Sequence, residues 1–263
     1  MIGPVTFPSG QVLVRSAGPH LAALEADLTR VADLAIYFGH QSVGGNLLDG
    51  VRELASPFPK IPLRIVEVGA SLARRTFGHA YVGENGRPES KLAAFAWTLD
   101  SGVGSTANVA LLKLCYSDVH RGTDPVRLFA GYEATLAGLR ARHPRVFFAH
   151  VTAPLTAAHK ESGRAAVARR LLGRSVDDVA DNAARENFND RLRRAYPSAA
   201  VFDLAKLESI GPGGDRIVRR WKGRDVPMLH PAYTEDGGHL NAPARVRLAR
   251  QLLGFLSALP RPS

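Results

Sequence analysis

Short apolar segments alternate with amphipathic ones along most of this chain of 263 residues. Five of the apolar segments have the length of a buried strand and lie next to turn-forming residues. The third of them, NVALLKLCY, is the longest. The pattern therefore predicts five buried strands, at residues 34–38, 63–68, 108–116, 145–151 and 199–204.

Helical spacing separates these strands. After Gly45, apolar residues recur on one helical face until a group of prolines interrupts the pattern. Asp124 before Pro125 is a common helix start, and further helices are predicted at 177–196 and from about Pro243. Strands that alternate with helices predict a central, mostly parallel five-stranded sheet with helices on both faces. The predicted fold class is therefore a three-layer α/β/α sandwich.

The length suits one α/β domain, so a single domain is expected over residues 1–263. Residues 1–30 precede the first predicted strand and are expected to form an N-terminal extension. Residues 153–176 are polar, rich in arginine and only weakly patterned, and they interrupt the alternation of strands and helices. This segment is the best candidate for a cap or a specificity insertion.

The composition narrows the classes of partner. The net charge is +10, but the arginines are scattered in pairs and form no basic block, so no nucleic-acid partner is expected. No stretch approaches the roughly 20 apolar residues of a membrane span. Cys115 is the only cysteine, which excludes an intrachain disulfide and a thiolate metal cluster. Without a recognisable leader, a cytoplasmic location is expected, and export after removal of a signal peptide stays an alternative.

The first segment with candidate chemistry is the turn GHQSVGG at residues 39–45, between the first strand and its helix. It places Ser42 at a helix N-terminus, where unpaired N–H groups favour a developing negative charge. A glycine-rich turn of this kind is equally typical of a phosphate site, and Ser42 is equally suited to be only an N-cap. No GxxxxGK[ST] motif is present, and no GxGxxG follows the strand.

The second segment, Asp236 to His239, precedes the last helix. An acid three residues before a histidine can hold the imidazole Nδ1–H, which leaves Nε2 to accept a proton from a serine. The intervening Gly-Gly is also strong turn chemistry, so a plain surface turn is the alternative.

Taken together, the two segments resemble the SGNH or GDSL hydrolase superfamily. The resemblance extends from about residue 34 to residue 256, and its most specific part is the block TEDGGHLNAPARVRLARQLL. It implies a flavodoxin-like fold and a serine esterase with Ser42 as nucleophile and Asp236 and His239 as its base pair. It implies no metal or cofactor, and a small-molecule or carbohydrate ester as substrate.

Other blocks depart from the family pattern and indicate a divergent subfamily. His40-Gln41-Ser42 stands where the family commonly has Gly-Asp-Ser, and Ser117 occupies the position of the oxyanion asparagine. Gly69 is the nearest glycine by position, but the resemblance favours Gly83 for the oxyanion hole, because Asn85 beside it is able to supply the missing amide. His40 is expected to bind substrate or to support the site through hydrogen bonds.

Several alternatives stay open at this point. His230 and Tyr233 are expected either to line the same cleft or to belong to an ordinary loop, and Lys91 is expected to be solvated or paired within a loop. An O-acyltransferase would use the same triad, and a non-catalytic SGNH-like binding module would keep the fold with a degraded oxyanion hole. The acyl-chain length and the oligomeric state are not indicated by the sequence.

Overall fold

Six parallel strands form the central sheet in the computed structural model, which describes residues 12–69, 71–158 and 178–260. The strands are β1 Ile36–His40, β2 Arg64–Glu67, β3 Thr76–Tyr81, β4 Val109–Leu112, β5 Phe147–Val151 and β6 Val201–Phe202. Their spatial order is β2-β3-β1-β4-β5-β6, and every neighbouring pair is parallel. Because β1 lies in the middle, the carboxyl ends of β3, β1 and β4 meet at one edge, where sites of such sheets are found.

Helices cover both faces of this sheet. They are α1 Val12–Ala32, α2 Ser42–Ala55, α3 Pro88–Thr98, α4 Pro125–Arg142, α5 Asp178–Ala195, α6 Leu204–Glu208 and α7 Ala242–Ala258. Alternate residues of β1 enter different cores, since successive side chains of a strand point to opposite faces. Ile36 and Phe38 belong to a core with α1, α2 and α7, whereas Tyr37 belongs to a core with α3, α4 and α5. The predicted three-layer α/β/α class is confirmed.

The sheet has one strand more than predicted. Strand β3, with the sequence TFGHAY, contains Gly78 and two polar residues and no apolar run, so its pattern does not indicate a strand. It is buried because it lies between β1 and β2. A Cβ at Gly78 would lie 2.5 Å from methyl groups of Leu72 and Val68, so the packing against β3 favours a glycine there.

Strand β1 keeps its predicted length of five residues but lies two residues later than predicted, at 36–40, and the other four predicted strands are shorter than predicted. Residues 199–204 divide into a turn, the two-residue β6 and the start of α6. A β-hairpin, β7 Val218–Trp221 and β8 Arg224–Pro227, was not predicted. Helix α4 begins as expected, because the Asp124 carboxylate accepts hydrogen bonds from the N–H groups of Val126 and Arg127.

The structure describes only part of the expected N-terminal extension and of the expected cap. Within the expected N-terminal extension, α1 contributes Leu24 and Leu28 to the core it shares with α7. Of the expected cap at 153–176, residues 153–158 belong to no helix or strand, and the remainder lies outside the described residues. In the described part of the chain, no helix has both the length and the apolar character needed to cross a membrane.

Candidate active site

Ser42 is the first residue of α2, and one residue, Gln41, separates it from the end of β1. The preceding Gln41 makes no side-chain cap, and its carbonyl accepts the N–H groups of Gly44 and Gly45. Among the hydrogen bonds of the described residues, the N–H groups of Ser42 and Val43 have no acceptor. The Ser42 side chain therefore lies beside free donors and the positive end of a helix dipole, at the carboxyl edge of the sheet.

The Asp236–His239 loop forms the expected acid–histidine pair. His239 Nδ1 lies 2.5 Å from Asp236 Oδ2, and Asp236 Oδ1 accepts the N–H groups of Gly238 and His239 at 2.9 and 2.8 Å. Desolvation raises the pKa of Asp236, but the hydrogen bonds from His239 and Gly238 outweigh it and hold this pKa well below its usual range. The carboxylate thus stays ionised and fixes the orientation of the imidazole.

A hydrogen bond ties this loop to the serine helix. Asn46 Oδ1 accepts the N–H of Leu240 at 3.2 Å, and Asn46 lies one helical turn after Ser42 on the same face. The Tyr116 ring, which follows β4, meets the His239 ring edge-to-face with centroids 5.9 Å apart. A Cβ at Gly238 would contact that ring at 3.0 Å. The structure therefore brings the serine helix, the histidine loop and the end of β4 to one edge.

Gly83 follows β3, the strand beside β1, whereas Gly69 follows the edge strand β2 and has open space around it. Gln41 Nε2 donates to the carbonyls of Val82 and Gly83 at 3.0 and 2.9 Å, so the serine turn is bonded to the Gly83 loop. Gly83 has φ +58°, and a Cβ there would lie 2.5 Å from the backbone nitrogen of Lys91. Both facts require glycine at this position.

The other two oxyanion candidates lie in neighbouring loops. Asn85 Oδ1 accepts a hydrogen bond from Lys91 Nζ at 2.8 Å. Ser117 follows Tyr116 after β4, and its carbonyl faces Gly86, so the two loops are adjacent. Lys91 is fully buried, so the expectation that it is solvated is wrong. Its Nζ lies 2.6 Å from Asp118 Oδ2.

His40 is fully buried, and both of its ring nitrogens have partners inside the protein. Nδ1 lies 2.9 Å from the Gln41 carbonyl, and Nε2 lies 3.1 Å from His79 Nδ1. Of the two expected roles of His40, this placement favours support of the site through hydrogen bonds over contact with substrate. Burial lowers the pKa of His40 to about 3 and also lowers that of His79, so the pair is neutral at pH 7.

The buried His40 is expected to make the protein sensitive to acid. Its pKa is lower in the folded state than in the unfolded chain, where it is about 6.5, so the unfolded state binds the extra proton and stability falls as the pH drops below 6.5. Between pH 7 and pH 5 this loss amounts to about 2 kcal/mol. Urea unfolding at both pH values checks it.

His40→Asn is expected to reduce this acid sensitivity, whatever its own stability at pH 7. The matched control is His20→Asn, at an exposed position on α1, which should leave the difference between pH 7 and pH 5 as in the wild type. An equal pH difference in the His40→Asn and wild-type proteins would contradict the prediction.

His230 and Tyr233 belong to a supporting loop. His230 Nε2 lies 2.9 Å from Asp215 Oδ2, and Nδ1 accepts the N–H of Ala232. Tyr233 is buried, and its hydroxyl donates to the carbonyl of Ile210 at 2.7 Å. These contacts favour the expectation that His230 and Tyr233 belong to an ordinary loop over the expectation that they line the cleft. Asp215 with His230 is thus an Asp–His contact besides that of Asp236 with His239.

Sequence reasoning missed three supporting residues: Gln41, Tyr116 and Arg185. Gln41 is next to the serine, but nothing in its sequence neighbourhood indicates where its amide donates. Arg185 donates to the Tyr116 carbonyl through Nε and Nη2 at 3.0 and 2.8 Å, across 69 residues of chain. The only signal for Arg185 was an arginine among the apolar positions of α5, which is common on amphipathic helices.

Comparison with known proteins extends the description of the fold. No protein-family profile matches the chain, and no curated protein matches it in sequence. Among solved structures, a protein of Streptococcus pneumonia with the provisional name platelet activating factor aligns at 15% identity and TM-score 0.50, over 94% of this chain and all of the other. The OSK domain of Drosophila Oskar aligns at 14% identity and TM-score 0.39, over 84% of this chain and 86% of that one. At such identities the first match bears on the fold alone.

Proposed function

We propose that the protein is a serine esterase of the SGNH type that hydrolyses carboxylic esters, such as acetylated carbohydrates or short acyl esters. The observation that carries the proposal is the Asp236–His239 hydrogen bond of 2.5 Å, in a loop bonded to the same face of α2 that begins with Ser42. A plain surface turn does not require a histidine that a carboxylate holds in one orientation. The pairing supplies the oriented imidazole with which a serine nucleophile would exchange its proton.

In the proposed reaction, Ser42 Oγ attacks the ester carbonyl carbon while His239 Nε2 accepts the serine proton. His239 then gives this proton to the leaving alcohol, which separates from the acyl-enzyme. Water next attacks the acyl-enzyme, again through His239, and releases the acid and the free serine. Asp236 Oδ2, bonded to Nδ1, holds the tautomer with Nε2 unprotonated and stabilises the imidazolium once it forms.

Three donors are proposed to stabilise the oxyanion. The Ser42 N–H is free at the start of α2, and the Gly83 N–H makes no hydrogen bond among the described residues. The third donor is Asn85 or Ser117, which lie in adjacent loops beyond β3 and β4. Each such donor contributes about 10²–10³ to the rate of comparable enzymes. No cofactor takes part in this reaction.

A fluorophosphonate probe tests the proposal directly, because it reacts with activated serines and not with ordinary hydroxyl groups. We expect one adduct per chain, located on Ser42 by peptide mass spectrometry, and hydrolysis of p-nitrophenyl esters from acetate to octanoate. The profile over chain length will give the size of the acyl pocket. A wild-type protein that neither reacts with the probe nor hydrolyses any ester would contradict the proposal and favour a binding module.

A further inference from the structure

A buried ion pair supports the loop that follows β3. The side chains of Lys91 and Asp118 are both 0% exposed, and Nζ lies 2.6 Å from Oδ2. Asp118 also accepts the N–H of Cys115 at 2.6 Å and the N–H of Gly86 at 2.8 Å. Because removing two charges from water is costly, a pair buried this completely is weak evidence for stability and fits a positioning role.

Lys91 determines which atom of the Asn85 amide faces the protein. An ammonium group has three donors and no acceptor, so the Asn85 atom 2.8 Å from Nζ must be the oxygen. The Nδ2 amino group therefore points away from Lys91. Asn85 is exposed, and no hydrogen bond of the described residues uses its Nδ2. The amide thus presents a free donor in a fixed orientation on the solvent side of the loop.

The same loop is held at several other points. Ser90 Oγ accepts the N–H of Glu84 at 2.9 Å, and Gln41 bonds the carbonyl of Gly83. Asp118 Oδ1 accepts the N–H of Gly86 in the same loop. Ser117, the competing candidate, has a hydroxyl that makes no hydrogen bond within the described residues, so no such bond fixes its orientation. A donor held by hydrogen bonds stabilises a developing charge better than one that is not, because it does not have to reorganise during the reaction.

We propose that Asn85 is the side-chain donor of the oxyanion hole, and that Lys91 and Asp118 are positioning residues that fix its amide. Asn85 Nδ2–H donates to the carbonyl oxygen of the ester as this oxygen becomes negative. This assignment rests on the proposed esterase function. It places the side-chain amide after β3 in this protein and leaves Ser117 after β4 without that role.

Asn85→Asp is the sharpest test, since the carboxylate keeps the bond from Lys91 but carries no N–H. We expect kcat for a p-nitrophenyl ester to fall about 100-fold or more, with KM within about threefold. Arg87→Gln is the matched control because it changes the charge of the same loop by one unit. Arg87 is exposed and its side chain bonds Glu84, so kcat should stay within about twofold.

A second set of variants tests Lys91. Lys91→Met combined with Asp118→Asn removes both buried charges together, which avoids an unpaired buried carboxylate. We expect kcat to fall about tenfold or more in this protein. Added to Asn85→Ala, the same two substitutions should lower kcat no further, since Lys91 acts only through the Asn85 amide. A merely structural role would lower kcat by the same factor with and without Asn85.

Lys91→Gln with Asp118→Asn supplies the conservative rescue, because glutamine retains an N–H donor for Asn85 Oδ1. It should recover part of the lost kcat, and it tests Lys91 even where the methionine protein does not fold. The proposal is overturned by an Asn85→Asp protein with kcat within about threefold of the wild type, or by a larger loss in Ser117→Ala than in Asn85→Asp. Failure of the esterase function itself looks different, because the wild type would then be inert and unlabelled at Ser42.

Discussion

Replacing Ser42 with alanine is expected to lower kcat for p-nitrophenyl esters by about 10⁴-fold or more, the range seen when a triad nucleophile is removed. Without the hydroxyl no acyl-enzyme forms, and His239 has no alcohol from which to accept a proton. The fold should be unchanged, because the Ser42 side chain makes no hydrogen bond among the described residues and alanine suits the start of a helix. The fluorophosphonate adduct should also disappear.

Ser56→Ala is the matched control for this substitution. Ser56 is the C-cap of the same helix, is exposed and lies at the opposite end from the proposed site. Its replacement should leave both kcat and labelling within about twofold of the wild type. An active Ser42→Ala protein that still reacts with the probe would assign the activity to another serine and refute the proposed nucleophile.

Local patterns were sufficient for most of the fold. The first strand, the Asp124 start of α4 and the apolar face of the last helix are each encoded by neighbouring residues, so the three-layer class was predictable. Strand β3 was not predictable in this way. Its burial comes from β1 and β2 on either side, and a strand with glycine and polar residues has no local signal of that burial.

In the candidate site, too, contacts between residues close in sequence could be predicted, and contacts between distant residues could not. Asp236 and His239 are three residues apart, so their hydrogen bond could be predicted from one short loop. The contacts that support the rest of the site join residues far apart in sequence, such as Lys91 with Asp118 and His40 with His79. No spacing rule relates such residues, because only the folded sheet brings them together. The roles of Ser42 and of the oxyanion donors stay predictions until activity is measured.

The protein also provides an internal reference for its proposed catalytic pair. Asp236 with His239 and Asp215 with His230 are both acid–histidine contacts, at 2.5 and 2.9 Å. They differ in what surrounds the histidine. His230 Nδ1 accepts the N–H of Ala232, so both of its ring nitrogens have protein partners. His239 Nε2 has no partner among the described residues. Of these two histidines, His239 is therefore the one with a ring nitrogen free for proton transfer.

Asp236→Asn is therefore expected to lower kcat about 10⁴-fold while Asp215→Asn changes it no more than about threefold. Asparagine keeps the shape of the side chain, and its Oδ1 still accepts the N–H groups of Gly238 and His239. Its amide, however, donates to His239 Nδ1. The proton then resides on Nε2, which can no longer act as the base for Ser42.

The pH dependence separates this explanation from a simple loss of charge. Hydrogen bonds from His239 and Gly238 outweigh desolvation and hold the pKa of Asp236 well below its usual range, so the carboxylate is ionised at every pH suitable for the assay. The difference between the wild type and Asp236→Asn should therefore persist from pH 5 to pH 8. A difference that vanished towards pH 5 would contradict this explanation, and an equal loss in Asp215→Asn would show that either acid–histidine contact merely supports the fold.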